Sequence, residues 1–517
     1  MHDHPRGGAI PFVASRGSRL TGQALAVVTA LTTITVLGLA LRLHQIGATS
    51  LWSDEAFSAW WIHKPLGYLW TDGLVIETTP PLYYTLLKIW AGFFGDGDAT
   101  LRLFSAVAGT ATIPVVFLLG VEIAGPVVGL VAALMFTLAP MQIYFAQEAR
   151  VYALLPLAFG LALLGLLRFV GSAGHRGAQA DRASLALYAA GMVVLLYAHA
   201  TSVFTAAALA TCGGLILLRT PRKRAALQPF LFTHLAIGIL ALPMAIPILA
   251  QAGRHDLSWI KPPDLIGLLS LADHLVVDPV TPLTLFRLAS MLALGALLLL
   301  LVLLVPVLRS DRRLALLMVG VPGLFLIAAI GLSYISPFLI PRIVIWMGVP
   351  LALLAALALV GPAPRWIRGG FALAYAACIL VGLNGVYVRT LSEKEDWRGL
   401  MAELLPRLGA EDIVAIGPDT SLLAPLRYAD RAFFDNGRQL FRWHPQPHPD
   451  DLYTPDHINT PIVIGTEGLA QEARAGRAVW VLLRATDWAA QKDAALAASR
   501  PPAEVDRHHP ALVLLRW

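Results

Sequence analysis

The chain's apolar pattern opens with a stretch from Leu20 to about Leu41. Stretches of similar length recur at roughly 99–121, 125–144, 151–170, 184–200, 202–218, 229–250, 286–308, 314–334, 341–360 and 371–389. About twenty apolar residues in a helix cross the hydrocarbon core of a bilayer, so eleven spanning helices are predicted. The first stretch exceeds the apolar region of a signal peptide and lacks a small-residue cleavage site behind it, so it reads as an uncleaved span. After Arg389 the pattern shortens to strand-length runs at Ile413–Ile416, Ile462–Ile464, Val479–Leu483 and Leu512–Leu515. Helical patterns at Trp397–Leu408 and Trp488–Ser499 lie among them. A membrane module over 1–389 followed by a small α/β domain over 390–517 is therefore expected.

Composition narrows the class. The 517 residues are 57% hydrophobic and 14% charged, against about 45–50% and about 25% in soluble proteins. A soluble enzyme is excluded. The net charge of +6 is dispersed between apolar blocks and forms no continuous basic face, so no nucleic-acid partner is expected. It reports orientation instead. Arg6, Arg16 and Arg19, Arg176 and Arg182, Arg219 with Arg222-Lys223-Arg224, Arg309 with Arg312-Arg313, and Arg365 with Arg368 fall between alternate spans. By the positive-inside rule that side is cytoplasmic, with the N-terminus inside. Residues 42–98, 145–150, 251–285, 335–340 and everything after 390 then lie on the opposite, extracytoplasmic side. Cys212 and Cys378 both fall in apolar segments, so the water-facing parts carry no disulfide framework.

The chemistry-bearing residues gather on that opposite side. Asp54 and Glu55 follow the first span in Leu51-Trp-Ser-Asp-Glu-Ala-Phe57. Carboxylates in apolar company have raised proton affinity or bound partners, both frequent in active sites. Equally, two acids after Ser53 suit the first turn of a helix. Trp52, Trp60, Trp61 and Trp70 in the same loop are expected on short helices at the headgroup level. In Glu77-Thr-Thr-Pro-Pro-Leu-Tyr-Tyr84, two prolines fix the entry to a helix and place Tyr83 and Tyr84 at its start. Gln147-Glu-Ala-Arg-Val-Tyr152 is a short charged turn carrying Glu148 and Arg150. Ser333-Tyr-Ile-Ser-Pro-Phe-Leu-Ile-Pro-Arg342 delivers one arginine to the membrane boundary. Arginine binds phosphate oxygens bidentately and keeps its charge when desolvated; taken alone, Arg342 also suits simple snorkelling. His199 is a candidate for lining a cavity. His444, His448, His457, His508 and His509 lack zinc-ligand spacing and are expected at the surface. No Walker-type loop, Gly-x-Ser-x-Gly elbow or His-Glu-x-x-His helix is present.

The order of these motifs resembles the bacterial GT-C glycosyltransferases of the family 39 type. These are relatives of the protein O-mannosyltransferases and of the aminoarabinose transferase that modifies lipid A. The acidic pair after the first span, Pro-Pro-Leu-Tyr-Tyr, Glu-Ala-Arg-x-Tyr, Pro-x-x-x-Pro-Arg and Glu395-Asp-Trp-Arg398 carry the resemblance, which extends through about Leu405. It departs at Thr79, where family members often have His, and at Glu148, where they often have Asp. The resemblance implies a GT-C-like polytopic fold in a bacterial inner membrane and inverting transfer of a sugar. The implied donor is a polyprenyl-phosphate sugar, and the acceptor a lipid, glycan or protein hydroxyl. It further implies Asp54 as general base, with Glu55 or Glu148 orienting the acceptor or the base; the charge growing on a leaving phosphate makes Arg342 and Arg150 the candidates to bind it, while Tyr83 and Tyr84 border the sugar or serve as structure alone, and His199 lines the cavity. A monophosphate leaving group can be held by arginines, so neither a metal nor a cofactor is inferred. The other classes open to such a chain are a lipid or glycan transporter or flippase, and a catalytically silent envelope assembly protein. Transport calls for buried charges near the midplane, whereas these spans read as nearly free of ionisable residues. The tail offers no catalytic constellation and is expected to act as a lid or acceptor-recognition module.

Overall fold

A computed structural model describes residues 22–77, 79–173, 182–221, 223–251, 260–277, 283–417, 423–429, 440–443, 463–485 and 504–517. All eleven predicted stretches are helical. Among the described residues, eight helices are long and apolar enough to cross a membrane by themselves: Gly22–Leu43, Asp98–Ala124, Val151–Ser172, Lys223–Ala245, Leu288–Ser310, Arg312–Ser333, Pro341–Val360 and Arg365–Arg389. Arg182–Ala198 and Ser202–Leu217 are shorter. The stretch expected at 125–144 is broken, with Pro126–Leu138 and Pro140–Ala146 meeting at 58°. Pro140 has no N–H to donate and disfavours a helical residue before it, and Ala139 is accordingly extended (ψ 118°). The bend is tied to the Pro341–Met347 turn, because Gln142 Nε2 donates to Ile345 O (2.8 Å). The chain thus enters the Gln147–Arg150 turn beside Arg342.

Helix packing in the bundle relies on small residues, as expected where lipid removes the hydrophobic drive between helices. Between Leu154–Ala173 and Arg182–Ala198, a Cβ on Gly165 would meet Tyr188 N at 2.4 Å and one on Gly191 would meet Ala162 N at 2.5 Å. The expectation of spans nearly free of charge needs correction at their ends. Arg42 and Arg102 lie inside spanning helices and are fully buried, at 0% and 1% exposure.

The loop after the first span folds into the helices Ser53–Trp61, Leu66–Leu69, Gly73–Ile76 and Leu82–Phe94. Its tryptophans do not all lie at a headgroup surface. Trp61 is 1% exposed, with its ring 5.0 Å from Phe57 and 6.3 Å from Tyr84. An aromatic core between Ser53–Trp61 and Leu82–Phe94 therefore holds the acidic turn in place.

The C-terminal part forms a six-stranded sheet in the order β3-β2-β1-β4-β6-β5. The strands are β1 (Ile413–Ile416), β2 (Leu440–Trp443), β3 (Val463–Ile464), β4 (Val479–Arg484), β5 (Glu504–Asp506) and β6 (Leu512–Arg516). β1 to β4 run parallel, while β6 is antiparallel to β4 and β5 to β6. Side chains alternate between the two faces. Val479, Val481 and Leu483 pack with Ala415, Val513 and Leu515 on one face. Trp480 and Leu482 join Val414, Ile416 and the Trp397–Leu404 helix in the main core on the other. The sequence pattern does not reveal β2 or β5: Arg442 interrupts the first, and the second has one apolar residue. The helical pattern at Trp488–Ser499 lies outside the described residues. One histidine expected at the surface is not there: the His509 side chain is 14% exposed and sits between Asp396 Oδ2 (3.3 Å) and Glu403 Oε2 (3.1 Å).

Replacing Gly165 or Gly191 by valine is expected to lower the unfolding temperature of the purified protein, because backbone stands where the new side chain must go. Gly238→Ala, with nothing within 4 Å of its added Cβ, is expected to leave it unchanged; equal effects at the three positions in a thermal melt would contradict this packing.

Candidate active site

Glu55 is the most enclosed of the three acids. The Ser53–Trp61 helix carries it in its first turn, where Oε2 accepts from Trp52 N at 3.4 Å. Arg102 holds it with two charge-assisted bonds, Nε to Oε1 at 2.7 Å and Nη2 to Oε2 at 2.6 Å. Ala149 N donates to Oε1 at 2.8 Å, and Lys394 Nζ stands 3.8 Å from Oε2. Burial alone raises the proton affinity of such a carboxyl, but Arg102, then Lys394, outweigh it and hold Glu55 below the usual carboxylate range. Arg102 also donates to the carbonyls of Ile46, Thr49 and Ser50 at 2.8–3.0 Å. One buried pair therefore ties the loop, its helix, the Asp98–Ala124 span and the Glu148 turn together.

Asp54 lies outside this cage. Its side chain is 30% exposed, against 0% for Glu55 and 2% for Glu148, so it alone of the three is accessible. Arg342 Nη1 donates to Asp54 Oδ2 at 3.0 Å, and Arg150 Nη2 stands 3.9 Å from the same oxygen. Arg342 also lies over the Tyr152 ring, 5.6 Å from its centroid. Arg150 is braced from several sides. Its Nη1 donates to Tyr84 Oη at 3.0 Å and to Asp54 O at 3.3 Å, and its carbonyl accepts from Ser105 Oγ at 3.2 Å. Because that bond takes the only Ser105 hydroxyl proton, Tyr83 donates to Ser105 across 3.1 Å. Tyr83 and Tyr84 are each 1% exposed; Tyr84 bonds to Arg150 directly and Tyr83 through Ser105, while the Tyr84 ring packs on Trp61 and that of Tyr83 on Phe104.

Glu148 sits beside them, with Oε1 3.4 Å from Lys394 Nζ. Burial raises its proton affinity, and Glu55 and Asp54 add to this while Lys394 opposes it. His199 accepts a hydrogen bond at Nδ1, so its ring carries a single proton. Thr201 N donates to its Nδ1 at 3.2 Å, which places the ring proton on Nε2. Its ring lies 6.2 Å from that of Tyr152. The turn, the late loop and the acidic pair thus converge as their common side suggests.

Three further residues belong to the cluster. Arg102 is an arginine within an apolar span, a recognised signal of function or pairing. Lys394 directly precedes the Glu-Asp-Trp-Arg run. Arg484, at the end of β4, bonds to Ser53 Oγ and lies 2.7 Å from Glu395 Oε1, and no local pattern marks it. Among the described residues, no three His, Cys, Asp or Glu side chains are grouped to hold a metal ion.

No family model matches the sequence, and no curated protein does. Solved structures do. ArnT from Cupriavidus metallidurans in the apo state superposes with a TM-score of 0.58 at 13% identity, over 95% of this chain and 98% of that one. ArnT bound to undecaprenyl phosphate gives 0.58 at 14% identity, over 96% and 98%. The archaeal oligosaccharyltransferase AglB from Archaeoglobus fulgidus, in complex with an inhibitory peptide and a dolichol-phosphate, gives 0.48 at 13%, over 92% and 71%. At these identities the likeness is one of fold. The chain has the GT-C fold, as the order of its motifs led one to expect.

Breaking a buried ion pair from one side costs about 3–5 kcal/mol, because the other charge stays buried. Arg102→Met is therefore expected to lower the melting temperature of the purified protein sharply. Glu55→Met combined with Arg102→Met is expected to cost less than the sum of the two single changes; strict additivity would show that the pair does not act as a unit.

Proposed function

We propose that the protein is an inverting membrane glycosyltransferase that moves a sugar from a polyprenyl-phosphate donor to a hydroxyl of a lipid, glycan or protein on the extracytoplasmic face. The observation that carries this reading is the accessible Asp54 carboxylate with Arg342 at 3.0 Å and Arg150 at 3.9 Å. A base and two anion binders then meet at one point of a GT-C fold. ArnT, which has that fold, is seen with undecaprenyl phosphate bound; this supports a lipid-linked donor here too.

In this mechanism the acceptor oxygen attacks the anomeric carbon while the bond from that carbon to the phosphate oxygen breaks. Asp54 takes the acceptor proton, and the polyprenyl phosphate leaves as an anion. Inversion needs one carboxylate at the attacking oxygen and no covalent nucleophile. Arg342 and Arg150 stand where negative charge grows on the leaving phosphate and so lower the barrier to its departure. Neutral His199 offers an Nε2–H donor to a sugar hydroxyl. Glu55 fixes the helix that presents Asp54, and Glu148 orients the acceptor. The sheet beyond residue 390 reaches the site through Arg484, which bonds to Ser53 beside Asp54.

Arg342 is engaged by the carboxylate that must act as base, so phosphate and Asp54 compete for one guanidinium. Removing the negative charge of Asp54 therefore abolishes catalysis without weakening the donor. Purified Asp54→Asn is expected to release no polyprenyl phosphate from a panel of polyprenyl-phosphate sugars with membrane extract as acceptor source, yet to bind the donor at least as tightly as the unaltered protein. Retained turnover in that variant would remove Asp54 as the base.

Arg342→Ala is expected to weaken donor binding at least about tenfold and to slow transfer about a hundredfold or more. Unchanged affinity for polyprenyl phosphate would take Arg342 off the phosphate.

A further inference from the structure

Two buried carboxylates share one ammonium in this site. Lys394, in the segment that follows the last span, places Nζ 3.4 Å from Glu148 Oε1 and 3.8 Å from Glu55 Oε2. Its side chain is 12% exposed, and its ammonium lies over the Tyr144 ring, 5.3 Å from the centroid. The two acids need it unequally. Glu55 already has both oxygens on Arg102 and a backbone N–H on Oε1. For Glu148, Lys394 is the cation within 4 Å among the described residues.

Resting on the transferase reading above, we propose that Lys394 is a positioning residue that holds Glu148 as a carboxylate beside Asp54 and Arg342. An ionised Glu148 has only acceptor oxygens to offer the attacking hydroxyl, whereas a protonated one donates and reverses that hydrogen bond. The groups acting on Glu148 come from every element around it. Asp54 and Glu55 from the acidic helix oppose its ionisation, as does burial; Lys394, then Arg342, favour it. Tyr144, Tyr83 and Tyr152 are the neutral titratable neighbours. Removing Lys394 takes away the largest favourable charge, so Glu148 keeps its proton to higher pH. Each unit by which its titration passes the working pH costs about tenfold in the ionised fraction.

The test is an infrared pH titration of the full-length purified protein, which needs no substrate, paired with the pH profile of transfer. In Lys394→Met, a protonated-carboxyl band is expected at neutral pH and is expected to vanish in Lys394→Met/Glu148→Gln. Transfer in Lys394→Met is expected to fall about tenfold or more at neutral pH, with its acidic limb displaced to higher pH. Lys394→Arg, which restores the charge, is expected to show neither change. No added band and an unmoved acidic limb in Lys394→Met would overturn the proposal, as would a displaced limb that persists after Glu148→Gln. A protein that transfers no sugar at all would count against the transferase reading alone, and the infrared titration would still decide the role of Lys394.

Discussion

The site depends on the requirement that a carboxylate taken wholly out of water be completely paired. Glu55 meets it with a bidentate arginine and a backbone amide at 2.6–2.8 Å. Each partner comes from a different part of the chain: Arg102 from the second span, Ala149 from the turn after the broken helix. Satisfying one buried charge therefore assembles the loop, a span and the turn around a common point. It also divides the acidic pair. Successive residues on a helix are turned by about 100°, so when Glu55 is drawn inward its neighbour Asp54 is left at the accessible edge, against Arg342. Adjacent acids thus have separate work, one holding the fold and the other available for chemistry.

Charge balance extends the same logic. Arg102, Arg150, Arg342 and Lys394 stand against Asp54, Glu55 and Glu148 among the described residues. Arg102 is committed to Glu55 and the loop carbonyls. Arg150 is fixed by Tyr84, by the Asp54 carbonyl and, through Ser105, by Tyr83. Arg342 has a single side-chain hydrogen bond among the described residues, to Asp54, and its side chain is 24% exposed. It is the cation best placed to change partners. Lys394 and Arg484 bring the segment beyond the last span into the same network, so the sheet is linked to the acidic turn through Glu395 and Ser53.

Much of this was legible in the sequence because apolar length and charge sidedness are one-dimensional properties. The apolar helices, the α/β tail and the meeting of Asp54, Glu148, Arg150 and Arg342 follow from them. What was hidden depends on partners distant in the chain. The partition of Asp54 from Glu55 requires Arg102, forty-seven positions from Glu55, which the pattern absorbs into a helix. For Tyr83 and Tyr84 the sequence leaves a pocket role and a structural one open, and their bonds to Arg150, directly and through Ser105, depend on partners distant in the chain. Pro140 was visible, yet a continuous apolar run masks the break it causes. Trp61 and His509 were misplaced for one reason: a residue type common at surfaces says nothing of a specific partner that buries it.

The most direct test of the account is an electron cryomicroscopy structure of the protein in a lipid nanodisc with polyprenyl phosphate bound. The account predicts phosphate oxygens within hydrogen-bonding distance of Arg342 and Arg150, the Arg342–Asp54 contact opened, and the Glu55–Arg102 pair unchanged. A phosphate bound elsewhere, with Arg342 still on Asp54, would contradict it.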